Sequence, residues 1–202
     1  MTLTLSLVLL AFVLVACGGG GDDPAPRTLQ VFGDSTMEQQ QELMAARGVA
    51  VIGSAVSGTT STMLLTGTDG VNAPWPAPVR GSVVIVNHGL NDSQDTFGPP
   101  YGITIDAYKA NLRRLAQAPG ALVIFQTPNP AWRADRAPAA YALAMREVAA
   151  ELRVPLIDVH AFVMARADWR EWLPDGLHPS PFALARIVDE CVMPALRAHI
   201  TL

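Results

Sequence analysis

Apolar and polar positions fall into two kinds of run that alternate along the chain, and the alternation predicts five strands separated by helices. Thr28-Leu29-Gln30-Val31-Phe32 is a short apolar run that ends at Gly33-Asp34-Ser35. Met37 to Arg47 has helical composition and Gly48 can stop it. Val49-Ala50-Val51-Ile52 reads as a second buried strand, followed by a loop of small residues from Gly53 to Ser61. Residues 69–80, with Pro74, Pro76 and Pro78 around Trp75, read as an irregular surface connection. Ser82 to Val86 is a third strand, apolar without interruption and therefore expected to be covered on both faces. Ile105, Tyr108, Leu112 and Leu115 recur at helical spacing, and Pro119-Gly120 closes that helix. Ala121 to Phe125 is the fourth strand. Tyr141, Ala144, Met145, Val148, Ala149 and Leu152 mark the core face of the helix after it. Pro155 to Val159 is the fifth strand, and a loop-rich segment with Trp169 and Trp172 follows. A last helix starts near Pro181 with Leu184, Ile187, Val188, Cys191 and Val192 on one face, and Pro194 is expected to kink or end it.

Strand-helix alternation repeated five times implies an α/β fold: an open parallel sheet with helices on both faces and right-handed connections. Ligands of such sheets bind outside the carboxyl ends of the strands. The residues that follow each strand are therefore the first place to look for chemistry.

Composition narrows the classes. The chain has 202 residues, half of them hydrophobic, so one domain with a real core is the expectation. The net charge of −4 with no Lys/Arg cluster argues against nucleic acid as a partner. The two cysteines, Cys17 and Cys191, have no zinc-ligand spacing, and no glycine-rich nucleotide motif lies between a strand and a helix.

The amino-terminal segment reads as an address. Leu3 to Ala16 is apolar apart from Thr4 and Ser6, short for a membrane span and suited to the apolar region of a secretory signal. No Lys or Arg precedes it, a departure from the usual pattern. Leu14-Val15-Ala16-Cys17 resembles the lipobox of bacterial lipoproteins. That resemblance implies a signal peptide over 1–16, cleavage before Cys17 and lipidation of its thiol. Residues 17–27, with Gly18 to Gly21, Asp22, Asp23, Pro24 and Pro26, read as a tether, leaving 28–202 as the folded domain. Cys191 then stands alone as a thiol and is most simply a small core residue.

Four stretches carry candidate chemistry. Ser35 lies between a strand and a helix, where free helix N–H groups favour developing negative charge. Gly58, after the second strand, has no Cβ to keep a ligand oxygen from its N–H. Asn91, after the third, can offer a side-chain N–H. Asp175 stands three residues before His178 in a turn held by Gly176 and Pro179. A carboxylate there can engage one imidazole nitrogen and leave the other for a serine hydroxyl, the arrangement nucleophilic catalysis requires. His88 and His160 read as structural or pocket-lining, and His199 as solvated. The loops around Trp75 and around Trp132-Arg133-Arg136 are candidates for the substrate walls, and equally for plain packing.

Gly33-Asp34-Ser35, Gly58 in Ser-Gly-Thr-Thr-Ser, Gly89-Leu90-Asn91-Asp92 and Asp175-Gly176-Leu177-His178-Pro179 resemble, in order, the four motif blocks of the SGNH (GDSL-type) hydrolases. The resemblance spans residues 28–200. It implies a three-layer α/β/α flavodoxin-like sandwich with a five-stranded parallel sheet. It implies Ser35 as nucleophile, His178 as base and Asp175 as its orienting acid, with Ser35, Gly58 and Asn91 forming the oxyanion hole. No metal or cofactor is implied. His88 before Gly89 and Thr59 after Gly58, where acidic residues are frequent, depart from the family pattern. The function that follows is hydrolysis of carboxylic esters, acetyl or short-acyl, through an acyl-serine. An O-acetyl-glycan esterase of the same chemistry and a polysaccharide-binding envelope lipoprotein without turnover remain alternatives. The expected partners are a small ester or acylated glycan and, through Cys17, a membrane. The expected place is the bacterial cell envelope, and Gly18 after the cysteine resembles outer-membrane sorting.

Overall fold

The computed structural model describes residues 28–200. The expected signal peptide, Cys17 and the tether lie outside the described residues. Among the described residues, no helix is long and apolar enough to cross a membrane.

Five strands, β1 (Leu29–Gly33), β2 (Val51–Gly53), β3 (Val83–Asn87), β4 (Leu122–Gln126) and β5 (Leu156–Ile157), form one sheet in the order β2-β1-β3-β4-β5. Every neighbouring pair is parallel. The strand order reverses at β1, which pairs with β2 on one side and β3 on the other. That reversal opens a crevice above the carboxyl ends of β1 and β3, the usual ligand site of such sheets.

Period-two alternation divides the central strands between two cores. Leu29, Val31, Val83, Ile85 and Ile124 face one layer, which holds α1 (Ser35–Ala46), α5 (Val159–Met164), α6 (Pro181–Ile187) and α7 (Met193–Leu196). Phe32, Val84, Val86, Val123 and Phe125 face the other, which holds α2 (Ser61–Thr66), α3 (Ile105–Leu115) and α4 (Pro138–Leu152). The result is the three-layer α/β/α sandwich. Gln30, the polar residue inside β1, is fully buried but satisfied. Its amide donates to Ser54 Oγ and Pro78 O, and its oxygen accepts from the N–H groups of Arg80 and Gly81.

Several elements differ from the sequence expectation. α1 begins at Ser35, two residues before Met37, because the Asp34 side chain accepts from Thr36 N at 3.0 Å and caps it. β2 is a half-exposed edge strand starting at Val51, since only β1 pairs with it. β5 is cut to two residues because Asp158 caps α5, a helix within the segment read as loop. α2 was hidden among small residues and rests on a Thr60 cap. Leu152 ends α4 exposed rather than on its core face. Pro194 does not end the last helix. A π-helical turn over Val188–Val192 widens the helix, with Met193 N bonded to Val188 O, and Pro194 sits in the first turn of α7, where its missing donor costs nothing. Trp75 is core and no substrate wall: its ring meets Phe32 edge-on at 5.4 Å, and Nε1 donates to Gln117 O.

Candidate active site

Ser35 opens α1 at the strand-order reversal. Gly33 makes that tight turn possible: a Cβ there would lie 2.6 Å from both Asn87 O and Met37 Cβ. β1, β3 and α1 therefore meet closely, and the Ser35 side chain is presented above the sheet. The N–H of Ser35 belongs to the first turn and makes no bond among the described residues. Asp34 is almost fully buried beneath it. Burial pushes its carboxyl up to about 6, against the lowering effect of bonds from Thr36 N and Thr36 Oγ1.

His178 reaches Ser35 from 143 positions away, with Nε2 at 2.9 Å from Oγ. Its Nδ1 lies 2.7 Å from Asp175 Oδ2. The other Asp175 oxygen accepts from the amides of His178 at 2.7 Å and Leu177 at 2.9 Å. Burial alone would raise the Asp175 carboxyl. The bonds from the imidazole and the two amides outweigh it and hold Asp175 down at about 2. A charged Asp175 fixes Nδ1 as the protonated nitrogen and leaves Nε2 a bare acceptor facing the serine hydroxyl.

On the other side, Gly58 adopts φ +76° with nothing within 4 Å of where a Cβ would be. Its N–H is unbonded among the described residues, and its carbonyl accepts from Tyr101 Oη at 3.0 Å. Asn91 is buried, donates one Nδ2 hydrogen to Thr59 O at 3.0 Å and keeps a second. Arg136 Nη2 stands 3.5 Å from Asn91 Oδ1, which agrees with the orientation of the amide. The neighbouring Asp92 is fully buried, raised to about 7 by burial, and accepts from the amide and hydroxyl of Ser61. Asn91 and Asp92 thus stitch the loop after β3 to the loop after β2. Thr59 fits its place because its hydroxyl donates to Val56 O at 2.7 Å with Gly33 O at 3.3 Å. A carboxylate there would face carbonyls.

The structure therefore brings Ser35, His178 and Asp175 into one line and sets Gly58 and Asn91 near the same strand ends. The remaining histidines stand apart from that line. His88 is buried with Nε2 3.3 Å from Thr59 Oγ1, and burial lowers it to about 4. His160 is half-buried in a recess that it shares with Trp132 and Arg136. His199 is partly buried rather than fully solvated. Sequence reasoning missed the structural work of Thr59, Asp92 and Tyr101, whose partners lie in other loops. Only the polarity of Asp92 beside an apolar strand hinted at it.

A doubly wound parallel sheet with a Gly-Asp-Ser turn at its reversal point defines the class: a hydrolase of the GDSL type, with a flavodoxin-like α/β/α sandwich. The chain belongs to the GDSL-like lipase/acylhydrolase family, whose pattern matches residues 16–183. Its fold is similar to that of a lipase/acylhydrolase from Enterococcus faecalis, with a TM-score of 0.68 and 22% identity over 87% of this chain and 97% of that one. A GDSL-like lipase from Bacteroides thetaiotaomicron matches with TM-score 0.68 and 18% identity, covering 86% of this chain and 89% of the other. The acetyl xylan esterase AlAXEase matches with TM-score 0.62 and 17% identity, covering 80% and 96%. No curated protein matches the chain in sequence.

Proposed function

We propose that the protein is a serine esterase that cleaves carboxylic esters, acetyl or short-acyl, through an acyl-serine at Ser35. The observation that carries this reading is the continuous contact Ser35 Oγ to His178 Nε2 at 2.9 Å and His178 Nδ1 to Asp175 Oδ2 at 2.7 Å. In the first half-reaction Ser35 Oγ bonds to the ester carbon as its proton moves to His178 Nε2. The carbonyl electrons move onto oxygen, where the N–H groups of Ser35 and Gly58 and the second hydrogen of Asn91 Nδ2 receive the charge. Collapse expels the alkoxide, which takes the proton from Nε2. In the second half a water gives a proton to Nε2 and its oxygen attacks the acyl carbon. Ser35 leaves with that proton and the carboxylic acid is released. Asp175 stays ionised throughout and stabilises the imidazolium.

The acetyl xylan esterase among the structural relatives supports an acetylated glycan as one form of the substrate. The lipobox-like Leu14-Val15-Ala16-Cys17 supports a lipid anchor at Cys17 and a place in the bacterial envelope, where such glycans are found. A serine-directed fluorophosphonate tests the nucleophile. The expected result is labelling of the wild type at Ser35 and none of Ser35→Ala. Undiminished labelling of the variant places the nucleophile elsewhere.

A further inference from the structure

A recess of about 340 Å³ opens on the β4–β5 side of the site, lined among others by Trp132, Arg136, His160, Met164, Trp169 and Arg170. The topology places it there. The chain leaving β4 carries Trp132 and Arg136, and α5, just after β5, carries His160 and Met164. We infer that this recess holds the alcohol half of the ester and that this alcohol is an acidic sugar. The inference rests on Ser35 and His178 acting as proposed above.

Position argues for the alcohol rather than the acyl half. The leaving oxygen takes its proton from His178 Nε2, so the alcohol departs on the side of the His178 loop. Trp132 is fastened to that loop twice: its amide donates to Gly176 O at 3.0 Å and its indole to Leu173 O at 2.9 Å. The packing is close, since a Cβ on Gly176 would lie 2.9 Å from Arg133 Cγ and 3.2 Å from the Trp132 ring. Arg136 borders both recess and site. It lines the recess and approaches Asn91 Oδ1, with its side chain only 7% exposed and its Nε buried without a partner among the described residues.

Charge argues for an acidic group. Arg133 and Arg136 share one carboxylate, Asp135. Arg170 lies over Trp169 at 5.5 Å, and among the described residues no carboxylate stands within ion-pair distance of it. Asp158, on the same side, accepts from Nε and Nη2 of Arg146. The side chains that line the recess include two guanidinium groups, Arg136 and Arg170, and no carboxylate, although Asp168 and Glu171 flank Arg170 in the chain. Burial, with Arg146 adding to it and Asp158 opposing, lowers the His160 imidazole, which favours its neutral form, suited to a hydroxyl.

Shape and surface argue for a sugar. Trp132 is 47% exposed in spite of its size, Trp169 is partly exposed, and flat indole faces beside polar groups suit a ring with one apolar face. A long acyl chain would leave the guanidinium groups desolvated and unpaired. The volume is at the lower end of the roughly 300–1,000 Å³ of small-ligand pockets, in keeping with a sugar-sized group.

The test compares kcat/KM on a methyl O-acetyl-glucuronoside with that on the matching neutral O-acetyl-glucoside, with p-nitrophenyl acetate alongside. The wild type is expected to favour the acidic ester by about tenfold or more, as one charge-assisted contact allows. Arg170→Ala is expected to bring that ratio close to one through KM, Arg170→Lys to keep part of it, and added salt to erode it. Equal rates on the two sugar esters, or an unchanged ratio in Arg170→Ala, overturn the inference while hydrolysis of p-nitrophenyl acetate leaves the esterase reading standing. Failure to hydrolyse any of the three esters overturns both.

Discussion

Asp34 and Asp175 flank the same serine and behave in opposite ways. Asp34 is 1% exposed, and burial pushes it up to about 6. The Asp175 side chain is 51% exposed. Three N–H bonds overcome the raising effect of burial and hold it at about 2. The two halves of the site are built on different principles. The Asp175–His178 half, to which we assign the acid–base role, is a surface turn in which residues three apart meet and charge is held by local hydrogen bonds. The Ser35 half, which holds the proposed oxyanion donors, is an interior junction of β1, β2 and β3, where a carboxyl serves as a cap and tie. Asp92 belongs to that second half, raised by burial to about 7 while it fastens Ser61. Asp175, which in the proposed mechanism stays ionised to hold an imidazolium, is kept near water, and the carboxyls that only bridge amides and hydroxyls lie inside.

The comparison is most easily broken at its charged end. Asp175→Asn keeps the shape but loses the acceptor that fixes the His178 tautomer, and kcat is expected to fall about 10³- to 10⁴-fold on p-nitrophenyl acetate. A loss under tenfold would show that the turn positions His178 without the charge. Asn91→Ala, on the interior side, is expected to cost about 10²- to 10³-fold in kcat with little change in KM. A change confined to KM would remove Asn91 from the oxyanion hole.

The pH dependence of folding separates the two carboxyls by sign. Asp34 has a folded-state value of about 6 against an ordinary 3.8, so its contribution is fully present below about 4 and is lost as pH rises through 6. Asp175 has the reverse sign: its contribution is present above about 4 and is lost as pH falls through 2. Asp34→Asn is therefore expected to gain Tm relative to the wild type between pH 4 and 7, whatever the loss common to all pH. A wild-type-minus-variant difference that is flat over that range would contradict a raised Asp34. His88, lowered to about 4, opposes this trend in both proteins and cancels in the difference. The smallest effect belongs to the surface. Arg113 pairs with Glu151 at 2.7 Å with both side chains well exposed, so Arg113→Ala is expected to change stability by less than about 1 kcal/mol in chemical denaturation and leave catalysis alone.

How much of this was legible in the sequence follows the same division. β1, β3 and β4 announce themselves as apolar runs, and α3 is written in the spacing of Ile105, Tyr108, Leu112 and Leu115. The Asp175–His178 turn is local, so the two residues could be paired by eye. The interior half needed the fold. Nothing local links Asn91 to Thr59, Asp92 to Ser61 or Arg136 to Asn91, because each bond joins the ends of different strands. α2 and α5 have six residues each, too few to show a helical period, and both depend on capping by Thr60 and Asp158. Trp75 sits among prolines that mark surface, yet its ring fills the core beside Phe32. The course of the last helix past Pro194 turns on a π-helical turn that no residue pattern foretells.

The central claim is tested most directly by hydrolysis of p-nitrophenyl acetate by the wild type and by Ser35→Ala, both checked for folding by circular dichroism. The expected result is turnover by the wild type and a loss of about 10⁴-fold or more in the variant. A folded Ser35→Ala that keeps the wild-type rate would contradict the account.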